Sequence, residues 1–364
     1  MSDNSKEAEK EMEKAIFVCG DCWLNVFDLL PPRQLGLGIA LISRRFDYFV
    51  DEHFKTRKWT LDKFHIEGEI GKNGTNEMEI VDSNGKAMPI PQNPLPNKVI
   101  GFRGIRITYF DQNVLTFLGR FDRFFSICTT MFGIGTANIR ILEFVLLNIW
   151  PKFKDTVRVF YVSAVNFGQM RQFVPSMLSD CPSLLHLDFL DGIPPEFPPD
   201  DSANASDGQA VAKWLFTPRP DNFPKRLSIS IENSAVVVVQ WLATVERIKA
   251  AFSIASSPVA FTIFFCFPSY LLPVVVPFEL INELSGEKLT LAQENAENAQ
   301  DDEEAEDDEV GFLLIRCPIV PDEKRQQKMI KQLGKRWNRI DILIAKDGVD
   351  EGLLDSSPGP RGDH

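Results

Sequence analysis

Apolar residues recur at helical spacing over the first part of the chain. Cys22, Trp23, Val26, Phe27 and Leu30 fall at i, i+1, i+4, i+5 and i+8, one face of a helix, and Pro31-Pro32 stops it. Leu35, Ile39, Ile42 and Phe46 then repeat at i, i+4, i+7 and i+11, and Phe49, Val50 and Phe54 carry the stripe onward. The spacing predicts a module of three short amphipathic helices over residues 18–63. So small a unit buries only part of each apolar face within itself, and a partner or the rest of the chain must cover the remainder.

The texture changes after this module. Residues 64–97 hold Phe64-His65-Ile66 and Glu77-Met78-Glu79-Ile80-Val81 among Gly, Asn and Pro, which predicts a linker with short strands. Over 98–275 short apolar runs alternate with helical patterns. Strands are expected at 99–109, 139–144, 157–162, 183–190, 227–231 and 261–267, and helices at 114–125, 146–153, 170–178 and 236–252. Strand followed by helix, repeated along the chain, implies right-handed crossovers and a largely parallel sheet. Cys181-Pro182-Ser183-Leu184-Leu185-His186-Leu187-Asp188-Phe189 resembles the strand of a leucine-rich repeat. An open, irregular β/α solenoid is therefore preferred to a compact doubly wound sheet, whose usual glycine loop is missing.

Beyond Pro277 the pattern predicts an antiparallel β region over 276–346. Phe278-Glu279-Leu280-Ile281-Asn282-Glu283-Leu284, the Ser285-Gly286 turn and Lys288-Leu289-Thr290-Leu291 read as a hairpin. Strands follow at 311–318 and 340–344, with a helix at 324–337 between them. The acidic stretch 293–309 repels itself and reads as a disordered loop, and the polar ends 1–17 and 347–364 read as disordered too.

With 364 residues, 44% of them hydrophobic, the chain has material for about two or three domains. The net charge is −12, and no Lys/Arg cluster interleaves with aromatics, which argues against nucleic-acid binding. Residues 250–278 carry no charge and are long enough to span a bilayer, but Pro258, Pro268, Pro273 and Pro277 cut them into strand-length pieces, so no membrane span is expected. No secretory signal opens the sequence, and six cysteines at 19, 22, 128, 181, 266 and 317 form no disulfide framework. These features fit a cytoplasmic or nuclear protein with reduced thiols.

Candidate chemistry is sparse. The four histidines lie outside any nucleophile or zinc-peptidase pattern. Cys19-Gly20-Asp21-Cys22 is a Cys-x-x-Cys pair, but no second ligand pair follows at zinc spacing and no strand precedes it as in a redox fold, so Cys22 is expected to be an apolar packing residue. Gly133-Ile134-Gly135 lacks the further residues of a phosphate loop and reads as a turn. No catalytic residue, cofactor or metal site is expected.

Val26-Phe27-Asp28-Leu29-Leu30, Pro31, Leu35 and Ile42-Ser43-Arg44-Arg45-Phe46 resemble an F-box, with Val18-Cys19 where that family usually opens on Leu-Pro. The blocks 200–203, 208–219, 276–280 and 314–319 widen the resemblance to F-box domain-containing proteins of an expanded family in plant-parasitic nematodes. The resemblance implies that the helical module is a three-helix F-box, placed ahead of the irregular leucine-rich-repeat-like β/α region and the antiparallel sheet that the pattern predicts. It also implies a non-catalytic substrate-receptor subunit of a Skp-cullin-F-box ubiquitin ligase. The partners would be a Skp-type adaptor, through it a cullin, and a protein substrate held by the C-terminal region. The expected adaptor contacts are Trp23, Leu24, Phe27, Leu30, Pro31, Leu35 and Ile42, large apolar groups beside a proline corner. A repeat-type interaction scaffold with a helical cap is the alternative.

Overall fold

The computed structural model describes residues 18–30, 34–70, 76–82, 87–89, 99–119, 130–136, 138–194, 197, 210–219, 223–230, 235–268, 276–295, 309–319 and 339–344. The chain divides into two compact units. One comprises Met1–Leu61 with Leu95–Gly101, the other Asp62–Pro94 with Phe102–His364.

The first unit is helical. Helix α1, Gly20–Phe27, takes Cys19 as its N-cap. A widely wound segment, Leu35–Ile39, runs into a tight turn, Ala40–Ile42, and then into helix α2, Arg44–Thr56. Ser43 stands in extended backbone before α2 and its Oγ accepts from Phe46 N at 3.3 Å, satisfying one of the helix's unpaired amides.

The second unit carries most of a mixed sheet, two of whose strands begin within the bounds of the first. The strands of the sheet are β1 (Trp59–Ile70), β2 (Asn76–Asp82), β3 (Ala87–Pro89), β4 (Val99–Ile107), β5 (Thr130–Gly135), β6 (Val157–Val162) and β7 (His186–Phe189). Then come β8 (Lys225–Ser230), β9 (Phe261–Pro268), β10 (Phe278–Asn282), β11 (Glu287–Asn295), β12 (Glu309–Pro318) and β13 (Arg339–Leu343). Their spatial order is β10-β11-β12-β9-β8-β7-β6-β5-β13-β4-β1-β2-β3. From β4 to β9 the neighbours pair in parallel, while β10, β11, β12 and β9 pair antiparallel, as do β1, β2 and β3.

Five helices accompany the sheet among the described residues: α3 (Gln112–Gly119), α4 (Ile139–Asn148), α5 (Ala164–Phe173), α6 (Ala210–Phe216) and α7 (Ala235–Ile254). Aromatic contacts show which face the residues after α4 and the helices α5, α6 and α7 cover. Trp150 and Phe153, just after α4, pack on Phe132 and Phe160, while Phe167 of α5 packs edge-on to Phe189. Phe216 of α6 meets Phe261, and Trp241 of α7 meets Phe265, Phe267 and Phe312. All these strand residues point to one side of the sheet, because strand side chains alternate and the registers keep them in phase. Strands β5 to β9 follow their chain order in space, so successive crossovers travel one way. A doubly wound sheet would instead reverse that order and place helices on both faces.

Three sequence expectations need correction. Residues 139–144 are helical, not a strand: Asn138 Oδ1 accepts from Arg140 N at 3.0 Å, and Ile141, Leu142, Phe144, Val145 and Leu146 bury much of the helix. A short apolar run fits both periods, and this cap settles the choice. The strand is β5, so Gly133-Ile134-Gly135 is sheet interior and not a turn. Strand β13 does not join the antiparallel group. It lies parallel between β4 and β5, burying Ile340 and Ile342 completely.

Strand β11 runs to Asn295 and β12 begins at Glu309, so the sheet takes both ends of the segment 293–309. The expected helix at 324–337, the loop residues 296–308 and the ends 1–17 and 347–364 lie outside the described residues. The hairpin of β10 and β11 is present, with Gly286 at φ +69°, a conformation glycine adopts without strain. Among the described residues no helix is long and apolar enough to cross a membrane, and residues 261–268 form strand β9.

Candidate functional site

The helical unit closes around its own small core. Phe27, Leu35 and Val50 are fully buried, and Trp23, Leu24, Leu30, Ile39, Ala40, Phe46, Phe49 and Phe54 pack against them. Trp23 meets Phe46 edge to face with centroids 4.8 Å apart, and Phe27 meets the His53 ring at 5.9 Å. The end of α1 is tied to the end of α2 by charge. Asp28 Oδ2 lies 2.5 Å from Arg57 Nη1, and its Oδ1 lies 3.9 Å from His53 Nδ1. His53 is itself buried, and that burial lowers its pKa against the opposing pull of Asp28.

The expected adaptor contacts therefore occupy three kinds of place. Phe27 and Leu35 are interior, Trp23, Leu24 and Leu30 are half-buried on the core's edge, and Ile42 is 64% exposed. Pro31 lies outside the described residues. The most exposed apolar side chains of the unit include several that periodicity assigned no special part. Leu29 is 83% exposed and Leu41 76%, with Tyr48 and Val26 also standing out. Leu29 follows the last turn of α1, and Leu41 and Ile42 lie in the tight turn before α2. Leu29 and Leu41 fall off the apolar stripes read from the sequence, whereas Ile42 lies on its stripe and is exposed all the same, which spacing could not show.

Cys19 and Cys22 stand at the start of α1. Both are exposed, with sulfurs 3.1 Å apart, and Cys19 Sγ accepts from Cys22 N at 3.4 Å. Cys22 is thus not the packing residue expected from its place on the stripe. The first turn of α1 points it outward, while Trp23 takes the inner position.

On the sheet of the second unit, the face opposite the aromatic cluster carries polar groups. Lateral register puts Asp341, Gly133, Tyr161, Asp188 and Ser228 in one row, and Arg339, His186 and Arg226 fall in the next row on the same side. His186 Nε2 lies 2.8 Å from Ser228 Oγ and 3.8 Å from Asp188 Oδ2. Both partners approach the same ring nitrogen. A serine-histidine-aspartate relay needs them on opposite nitrogens, so the trio does not have that arrangement. Burial, with Arg226 adding the same sign, pushes the His186 pKa down to about 3 and keeps the ring neutral. No sequence motif announces this row, because its members come from separate strands joined by parallel register.

Among the described residues no three or more His, Cys, Asp or Glu side chains gather as a metal site. No protein-family model, curated protein or solved structure matches the chain.

Proposed function

We propose that the chain is a substrate-receptor subunit of a Skp-cullin-F-box type ubiquitin ligase, docking on a Skp-type adaptor through its helical unit. The observation that carries this reading is the split within that unit. It completes a core with Phe27, Leu35 and Val50, yet leaves Leu29, Leu41 and Ile42 largely exposed within or between the segments of the F-box-like run. Exposed large apolar groups on a folded helical scaffold suit a partner surface. The contact set then centres on Ile42, with Leu29 and Leu41 joining it and Trp23, Leu24 and Leu30 reaching it from the core's edge. Phe27 and Leu35 support the surface from beneath.

The β/α sheet would present the protein substrate. Strands β5 to β9 follow one another in chain order, the aromatic residues of α5, α6 and α7 pack on one side of them, and the other side offers hydrogen-bonding groups in rows, an arrangement that leucine-rich-repeat receptors also use. The ligase chemistry would reside in other subunits. The second reading, a scaffold whose helical unit is a cap, is favoured by the complete burial of Phe27 and Leu35 within their own unit.

Co-purification of the full chain with a Skp-type adaptor separates the two. The receptor reading expects a complex that the Leu29→Asp, Ile42→Asp double variant weakens by at least about tenfold, a change near 1.4 kcal/mol. The variant must retain its helical signal. A monodisperse wild-type chain that binds no adaptor, or a variant that binds undiminished, overturns it.

A further inference from the structure

We propose that Cys19 and Cys22 form a reactive dithiol that exchanges with low-molecular-weight disulfides, with Cys19 as the attacking sulfur and Cys22 as the resolving one. The inference does not rest on the adaptor reading.

Three observations on the same turn support it. The sulfurs are 3.1 Å apart and neither is buried, so closing a bond of about 2.05 Å needs only a small side-chain movement. Cys19 is the N-cap of α1, in extended backbone at φ −67° and ψ 158°, which turns its sulfur back over the first helical amides. There it accepts from Cys22 N, and the partial positive charge of a helix N-terminus favours a thiolate over a thiol. Arg45 Nη2 donates to Val18 O at 3.0 Å and so anchors the residue just before the cap.

The titration directions agree with these roles. The Cys22 thiol and amide, both hydrogen-bonded to the Cys19 sulfur, lower the Cys19 pKa, and the same thiol contact raises that of Cys22. Asp21 opposes thiolate formation at Cys19 as a smaller effect. The contrast lies within the same chain. Cys181 is buried, its thiol donates to Met177 O, and burial pushes its pKa up to about 12, so it is an inert packing thiol.

The chemistry balances without a cofactor. The Cys19 thiolate attacks one sulfur of the disulfide, a mixed disulfide forms at Cys19, and the other half leaves as a thiolate that takes up a proton. Cys22 then attacks the Cys19 sulfur and passes its proton to the second departing thiolate. The protein dithiol is oxidised to one disulfide and the small disulfide is reduced to two thiols.

The test incubates the full chain with mixtures of reduced and oxidised glutathione, quenches with acid and maps each cysteine by alkylation and mass spectrometry. The expected result is an intramolecular Cys19–Cys22 disulfide in the wild type. Cys22→Ser should accumulate a glutathione adduct on Cys19, and Cys19→Ser should react at Cys22 at least about tenfold more slowly. Both substitutions fall at exposed positions, so an unchanged helical signal is the control. The proposal is overturned if the wild type stays a dithiol across the glutathione range, or if the two single variants form adducts at equal rates.

Discussion

Asp341 lies over Gly133, with its Oδ1 2.9 Å from the position a Cβ on that glycine would occupy. The two residues are register partners where β13 lies between β4 and β5. Arg339 fixes the carboxylate with Nε 2.8 Å from Oδ2, and its guanidinium stands 5.4 Å from the ring of Tyr161, the next partner of Gly133 across the sheet. Only a residue without a side chain leaves the carboxylate this room.

Gly133→Val is therefore expected to destabilise the chain by about 1–3 kcal/mol, the usual cost of overpacking. Asp341→Ala in the same chain should recover part of that loss, since it removes the obstructing group. Urea unfolding midpoints of the two single variants and the double variant measure the coupling. Additive losses would show that the contact does not govern the position.

Phe27 and Leu29 are near neighbours with opposite environments, one buried and one 83% exposed. Phe27→Ala should cost about 3–5 kcal/mol and open the helical unit to limited proteolysis. Leu29→Ala should stay within about 0.5 kcal/mol of the wild type and leave the proteolysis pattern unchanged. Equal sensitivity of the two variants would contradict the core described for this unit.

Glu287 and Arg316 form a buried pair that joins β11 to β12 and to the chain after α7. Arg316 Nε and Nη2 donate to Glu287 Oε2 at 3.0 and 2.9 Å, and Glu287 Oε1 accepts from Val259 N at 2.8 Å. Phe252 and Phe261 flank the guanidinium. Glu287→Ala leaves a buried cation short of its counter-charge, and a loss of about 3–5 kcal/mol is expected. Replacing both residues with leucine should cost less than that single change. Thermal unfolding of the three variants gives the comparison, and a double variant as weak as the single one would count against it.

His186 should make stability sensitive to acid. Folded, its ring stays neutral down to about pH 3, whereas the unfolded chain takes up a proton near the usual 6.5. The unfolded state binds more protons between those values, so this contribution is complete above about pH 6.5 and lost as the pH falls toward 3. The slope from one such group is at most about 1.4 kcal/mol per pH unit. In His186→Gln, which keeps a polar group near Ser228 without titrating, the stability curve should fall less steeply below pH 6. Parallel curves for the two proteins would refute the assignment.

Lys225 should act at the alkaline end. It is buried, its Nζ donates to the carbonyl oxygens of Trp214 and Thr217, and burial, reinforced by Arg219, pushes its pKa down to about 8. The unfolded chain holds that proton up to about 10.5, so stability gained from this group rises between pH 8 and 10.5. Lys225→Met should flatten that rise in denaturant titrations.

Local patterns carried much of this architecture. The apolar stripe from Trp23 to Phe54 was legible because its core closes within the same short stretch, and the turn at Gly286 was legible because a hairpin pairs neighbours in sequence. Strand β6 and helix α7 followed from periods of two and of 3.6 residues. The stretch 139–144 is not legible from its pattern, because a continuous apolar run satisfies both periods and only the Asn138 cap decides it.

Only the tertiary structure decided that β13 lies between β4 and β5, that His186 meets Ser228, and that Ile42 is exposed while Leu35, on the same stripe, is not. The physical reason is common to all three. Periodicity records which face of an element is apolar, whereas the partner of that face depends on pairings between residues far apart in the chain. Such pairings are selected by the free energy of the whole packed sheet and core.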